Sequence, residues 1–217
     1  MPNREKAKHI SNCLELAMLL EVTTPKPGNV TPTASFEGTR IEHFLASAVA
    51  AESSFEKAAR RGTAISENKL SISQVGIGRI IKDCAEDINS WQKGGNTLLG
   101  TVMLFVPLAV AAGMTPARKK FVFDFHRLRE NLRLAVKSTT AEDAVNLYKA
   151  IDVAKPSGLG GAPDLDVTNP ASKGRLFEDD VSLFEVFKIA EDYDDICSEW
   201  VRNYPITFDL AYPYLTA

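Results

Sequence analysis

Residues 98–113 carry no charged side chain and present no polar face. A helix that is apolar all round sits in the middle of a protein, or it spans a membrane. A span needs about 20 apolar residues. This run is shorter, contains Pro107, and closes on Gly113, Met114, Thr115 and Pro116, a helix stop. It therefore predicts a central buried helix over residues 98–112. No stretch of the chain shows a convincing strand alternation, so the expected class is all-α, a compact multi-helix bundle forming one domain over residues 1–217.

Gly94, Gly95, Asn96 and Thr97 precede that helix. Asn96 or Thr97 suits the N-cap. The first amides of a helix lack internal partners and carry partial positive charge. Two glycines ahead of the cap let another molecule approach bare backbone, which is the physics of a phosphate site. The competing reading makes Gly94 the C-cap of the helix before it.

The other helices follow from periodicity. Residues 3–21 place Ile10, Leu14, Ala17 and Met18 on one face, and residues 41–61 do the same with Phe44, Ala48, Ala51, Phe55 and Ala58. Residues 72–91 form a third helix, residues 116–137 an amphipathic one with Phe121, Phe125, Leu128 and Leu132 inward, and Thr140 opens another through about residue 153 with Asp143 completing a capping box. Residues 181–203 read as a last long helix, with Tyr193 inward and Asp192, Asp194, Asp195 and Glu199 on its solvated side.

Two loops interrupt this pattern with lysine, proline and glycine. Pro25, Lys26, Pro27, Gly28 and Asn29 form a stiff turn that costs little entropy to order around an anion. An ordinary inter-helix turn with a solvated lysine is the alternative. Residues 152–170 are the longest irregular segment and repeat the theme with Lys155, Pro156 and Gly158. They add Asp164 and Asp166, which suit Mg²⁺ if they are more than incidental loop acids. Glu52 and Glu56, one turn apart, offer a second carboxylate pair, against the reading of a solvated face. Arg79 either forks onto a phosphate or pairs with Asp83.

Composition narrows the partners. A net charge of −3 gives no sequence-wide field for nucleic acid or anionic membrane, so any anion must be held by a local cluster. Cys13, Cys84 and Cys197 are far apart, which argues against a zinc site or disulfide framework. With a mixed-charge N-terminus and no apolar leader, the expectation is a cytoplasmic protein without nucleic-acid or membrane partners; its subunit count stays open, a homo-oligomer included.

The loops at residues 25–30 and 94–97, in this order, resemble the triphosphoribosyl-dephospho-CoA synthase family, from about residue 10 to residue 200. The resemblance rests on Glu21 followed by Pro25, Lys26, Pro27, Gly28, Asn29 and Val30, and on Gly94, Gly95, Asn96 and Thr97 ahead of an apolar helix. Phe44 to Ala48 and Gly78-Arg79 add similar residues. The resemblance implies an enzyme that joins ATP to dephospho-CoA with release of adenine. Catalytic roles then fall to Lys26, Asn96 and Arg79. Nucleotide contacts fall to Lys26, Gly28, Asn29, Gly94, Gly95, Asn96, Thr97 and Lys155, and Mg²⁺ to Glu52, Glu56, Asp164 or Asp166. Two departures bear on the chemistry. Leu98 and Leu99 stand where the family commonly has His-Lys, and Phe36 to Arg40 replace its histidine-acid motif. Losing an imidazole and an ammonium removes an acid/base and a charge clamp, so a divergent relative acting on another phosphorylated metabolite is also expected. The rival readings are a Mg²⁺-dependent nucleotide phosphohydrolase with Glu52, Glu56, Asp83 and Asp87 as ligands, and a non-catalytic nucleotide-sensing or interaction protein.

Overall fold

The computed structural model of the protein describes residues 3–117, 121–159 and 161–217. Four long helices come first: α1 (Asn3–Thr23), α2 (Ile41–Ser66), α3 (Ile77–Trp91, after a 3₁₀ turn at Ile72–Gln74) and α4 (Leu99–Met114). Then come α5 (Phe125–Lys137), α6 (Ala141–Ala154), α7 (Ser172–Glu178), α8 (Leu183–Ala190), α9 (Asp195–Val201), a π-helical turn at Ile206–Ala211, and α10 (Tyr212–Thr216). Among the described residues there is no sheet, only isolated bridges such as Phe36 with Thr39. The fold is all-α, as the sequence predicts.

The uncharged run is the axis of the bundle. Val102, Val106, Ala109, Val110 and Ala111 of α4 are fully buried, and α1, α2, α3, α5, α6 and α9 all pack on this helix. Its crossing with α2 is close because both helices thin to glycine there. A Cβ on Gly62 would run into the Val110 carbonyl, and one on Gly113 into the Ala59 carbonyl. Thr63 Oγ1 donates to the Gly113 carbonyl at 3.2 Å across the same contact. Pro107 sits inside α4 and has no N–H for the Met103 carbonyl one turn back. The indole of Trp200 donates to that carbonyl instead, at 3.0 Å. Lys6 Nζ closes the far end of α4, donating to the Gly113 and Thr115 carbonyls at 2.6 and 2.7 Å.

A second close crossing joins α3 to α6. Gly78 lies against the Asp143 backbone, and its amide donates to Asp143 Oδ1 at 2.8 Å. The predicted capping box is present, with Thr140 and Asp143 exchanging side-chain-to-backbone bonds.

Three expectations are corrected. The helix read over 116–137 begins only at Phe125, capped by Asp124, because Phe121 takes φ 57° and Ala117 bridges Phe123. Arg118, Lys119 and Lys120 lie outside the described residues. Phe125 is exposed, its ring 4.1 Å from that of Tyr212 rather than in the core. The long helix read over 181–203 is two helices, since Asp194 caps a new start by accepting the Cys197 amide at 2.8 Å. Tyr193 is consequently exposed. Glu199, expected on the solvated side, is buried and accepts from the Ile206 and Thr207 amides at 2.7 and 3.0 Å, which anchors the C-terminal turn.

Candidate functional site

The segment between α3 and α4 is held by side chains from neighbouring helices. Gln92 leaves α3 in an extended conformation, so Gly94 is not a helix C-cap. Its amide spans the turn, accepting from the Gly94 amide and donating to the Gly95 carbonyl at 2.8 Å. Thr39 Oγ1 donates to the Gly94 carbonyl at 2.7 Å, and Ser47 and Thr97 share a hydroxyl bond at 2.7 Å. The His43 ring occupies the space that a Cβ on Gly94 would need, while its Nδ1 accepts the Arg40 amide at 3.1 Å. Gly94 is therefore required for internal packing. Gly95 is different: it has φ 77°, and its missing Cβ faces open space. Asn96 Oδ1 accepts the Leu99 amide at 3.1 Å and so covers the first orphan donor of α4. Leu98 and Leu99 are buried in the core.

The first loop reaches this segment through its far end, at Thr39 and His43. Its near end is self-contained. Lys26 Nζ donates to the Glu21 carbonyl at 2.6 Å and pairs with the Glu21 carboxylate at 3.0 Å, so the ammonium caps the C-terminus of α1. Asn29 Nδ2 donates to the same carboxylate at 3.3 Å, and Gly28 makes the turn with φ 77°.

Beside Asn96 opens a cavity of about 590 Å³, walled by α4, α6, α8 and the start of α9 and covered by loop residues 156–159 and 161–167. Asn96, Gly158 and Asp164 all line it, so the third irregular segment and the head of α4 meet at one place. The loop is shaped by its own carboxylates. Asp164 Oδ1 accepts the Leu165 amide at 2.8 Å and Arg175 Nη1 at 2.7 Å, and these hold its carboxyl below the ordinary range, the Arg175 bond first. Asp166 spends both oxygens, Oδ2 on the Ala162 amide at 2.8 Å and Oδ1 on the Thr168 amide and hydroxyl at 2.7 and 2.6 Å. The Tyr148 hydroxyl donates to the Leu165 carbonyl and fastens the loop to α6. Burial pushes that hydroxyl up to about 12. Lys155 ends α6 in a left-handed conformation and is exposed beside Pro156.

Other candidates lie elsewhere. Glu52 accepts from Lys8 at 2.7 Å and from Ser11 at 2.5 Å on the α1 side of α2, and Glu56 pairs with Arg60. Asp83 pairs with Lys57 at 2.8 Å and with Lys82 at 3.3 Å, not with Arg79. Arg79 stands in the first turn of α3 while Gly94 follows its last, and the helix from Arg79 to Trp91 alone spans about 18 Å. It lines another, polar cavity of about 210 Å³ with Lys57 and Arg61. Among the described residues no three acids, cysteines or histidines are grouped to hold a metal ion, and no helix is long and apolar enough to cross a membrane.

Thr39 and Ser47 entered the sequence reading only inside stretches compared with the family, and His43 and Gln92 escaped it. Their one signal was the pair of adjacent glycines, which local chemistry ascribes to a ligand; Gly94 in fact makes room for His43.

No curated protein and no solved structure matches the chain. A family does: CitG, described as ATP:dephospho-CoA triphosphoribosyl transferase, matches residues 7–217. That span holds both glycine-bearing loops, α4 and the cavity beside Asn96, and this chain belongs to the CitG family of triphosphoribosyl-dephospho-CoA synthase-like transferases.

Proposed function

We propose that the chain, as one domain, binds ATP at the head of α4 and transfers its triphosphoribosyl group to the hydroxyl of dephospho-CoA or of another phosphorylated metabolite. The observation that carries this reading is the meeting of Asn96, the open Gly95 backbone and the 590 Å³ cavity at the start of the central buried helix. In the reaction the acceptor hydroxyl attacks the anomeric carbon of the ribose. The bond from that carbon to adenine breaks, a carbon–oxygen bond forms, and the hydroxyl proton ends on the departing adenine. The protein contributes mostly by positioning and by neutralising charge. The Gly95 and Asn96 backbone and the Lys26 ammonium meet the phosphates, Lys26 exchanging Glu21 for them. Asn96 positions the nucleotide at the cavity mouth.

Mg²⁺ belongs here as the counter-ion that ATP brings with it, because Mg²⁺ is commonly held by substrate phosphates and water with few protein ligands. Glu52 and Glu56 are engaged with Lys8, Ser11 and Arg60, and Asp166 has no free oxygen, so no carboxylate pair is assigned to it. The test is to incubate the protein with ATP, Mg²⁺ and dephospho-CoA and measure free adenine. Adenine release dependent on the acceptor is expected. Phosphate without adenine would make the chain a phosphohydrolase, and neither product would leave a nucleotide-sensing or interaction protein.

A further inference from the structure

The cavity and the substrate are mismatched in charge. A triphosphate brings several negative charges. The residues lining the cavity include no lysine, arginine or histidine among those described, but they do include Asp164 and Asp194. Most of the wall is aliphatic or aromatic, with Met103, Leu147, Phe187 and Ile196 from four different helices. Moving a polyanion into such a space would strip its water and return no cation from the wall, only Asp194 and an Asp164 already paired with Arg175. The cations stand outside: Lys93 adjoins Gly94, Lys155 adjoins Pro156, and Arg175 is held on Asp164.

The few polar groups that do reach the cavity have a pattern. Asn96 spends Oδ1 on the Leu99 amide, and its Nδ2 donors have no partner among the described residues. Asp164 commits Oδ1 to the Leu165 amide and to Arg175, and Asp194 commits Oδ1 to the Cys197 amide, with the Cys197 thiol also bonded to its carboxylate. One amide donor and two carboxylate acceptors, set in an apolar and aromatic wall, complement a flat uncharged ring that carries both a ring-nitrogen acceptor and an exocyclic amine. Tyr193, exposed on the turn between α8 and α9, adds an aromatic face at the rim.

Resting on the reading of an ATP-using transferase, we infer that the cavity is the seat of the purine base of ATP. The triphosphate lies outside it, along the open Gly95 backbone. The loop residues 156–159 and 161–167 are then a cover for the base and not a phosphate or metal clamp. Leu99 is part of the apolar wall that suits an uncharged ring.

The experiment titrates the full-length protein with adenosine, inorganic triphosphate and ATP by calorimetry. Two variants accompany it: Ala190→Trp, which projects an indole into the cavity, and Tyr193→Ala, which removes the exposed ring and is expected to leave the fold intact. Adenosine should bind without any phosphate, and inorganic triphosphate should not displace it. Ala190→Trp should weaken adenosine and ATP by the same factor, about tenfold or more, and leave triphosphate binding alone; Tyr193→Ala should weaken adenosine and ATP in the same parallel way. Displacement of adenosine by triphosphate would overturn the inference. So would adenosine binding unchanged in both variants, which would assign the cavity to the uncharged part of the acceptor. If ATP binds but adenosine does not, the base pocket is refuted while the transferase reading stands. If ATP itself does not bind, both fall.

Discussion

Trp200 Nε1 donates to the Met103 carbonyl at 3.0 Å, the one acceptor in α4 that Pro107 deprives of a helical donor. The two residues are 97 positions apart, and Trp200 is 1% exposed. A proline inside a helix ordinarily costs about 3 kcal/mol, partly through that lost bond. Here the indole supplies the missing donor and ties α9 to the centre of the bundle. Trp200→Phe should therefore destabilise by about 1–3 kcal/mol for the orphaned carbonyl alone. In a Pro107→Ala background, where the helix provides its own donor, the same substitution should cost measurably less. Equal costs in both backgrounds, read by urea denaturation, would show that the indole matters only for packing.

Gly94 and Gly95 are adjacent but constrained differently, so their variants should separate. Gly94→Ala forces a methyl into the His43 ring and should cost about 1–3 kcal/mol by overpacking. Gly95→Ala meets no atom but places an L-residue at φ 77°, at about 1–2 kcal/mol. Gly95→Asn should recover part of that stability, since asparagine tolerates the conformation, while still obstructing the open backbone. A Gly95→Asn protein that binds ATP as well as the wild type would remove Gly95 from the phosphate site.

Asp143 links two helix starts, accepting the Gly78 amide at 2.8 Å and the Thr140 amide at 3.0 Å. Burial nonetheless raises its carboxyl above the ordinary value of 3.8, outweighing those bonds. A raised carboxyl means that the folded protein takes up the proton before the unfolded chain does. The linked stability is complete below 3.8 and is lost as pH rises through the raised folded value. Asp143→Asn has no such linkage. Its deficit relative to wild type should therefore grow as pH falls through the window just above 3.8. A deficit that shrinks with acidification would mean that the hydrogen bonds win and the carboxyl is held low.

Helix positions were legible because apolar spacing is a local signal. The α4 run, the α2 stripe and the Thr140–Asp143 box each lie within a few turns of chain. What escaped was long-range. Nothing near residue 200 announces that an indole answers Pro107, and nothing near Glu199 reveals that amides seven and eight residues on will bury it. The candidate site divides in the same way. Asn96 and Asp164 were read from their neighbours, and they do line one cavity. The cavity's apolar walls belong to α6, α8 and α9, whose inward residues look in sequence like ordinary core. Arg79 was grouped with the site by residue type and by the Gly78-Arg79 resemblance, and α3 places it at the opposite end of that helix from Gly94.

Lys26 is the cation whose resting partner is known, so its role can be isolated. Its ammonium sits on the carboxylate and the carbonyl of Glu21, in the last turn of α1. Lys26→Met should cost little stability, about 0.3–1 kcal/mol, as expected for a half-buried charge at a helix C-terminus. If the ammonium swings to the phosphates, the same variant should weaken ATP about tenfold or more, one charge-assisted bond being worth about 1.5–3 kcal/mol, and leave adenosine unaffected. Equal effects on both ligands would mean that Lys26 shapes the loop and does not touch phosphate.

Lys155 offers a case where stability and function should move in opposite directions. It ends α6 with φ 46° and ψ 56°, its amide donating to the Ile151 carbonyl at 2.8 Å. Glycine is the usual occupant of that position, and an L-residue there carries about 1–2 kcal/mol of steric cost. Lys155→Gly relieves the cost but adds freedom to the unfolded chain, worth about 0.5–1 kcal/mol in the other direction. The net expectation is a variant more stable by up to about 1 kcal/mol. Backbone strain of this kind tends to persist where a side chain is needed. The lysine adjoins the rim of the cavity without lining it, where the phosphates of a nucleotide with its base inside would emerge. Lys155→Gly should thus melt higher and bind ATP about tenfold more weakly, the loss of one charge-assisted contact. Lys155→Asn, which tolerates the left-handed conformation and lacks the charge, should repeat the loss of affinity with a smaller gain in stability. If both variants bind ATP like the wild type, Lys155 has no part in the site; if Lys155→Gly melts lower, the strain argument is wrong.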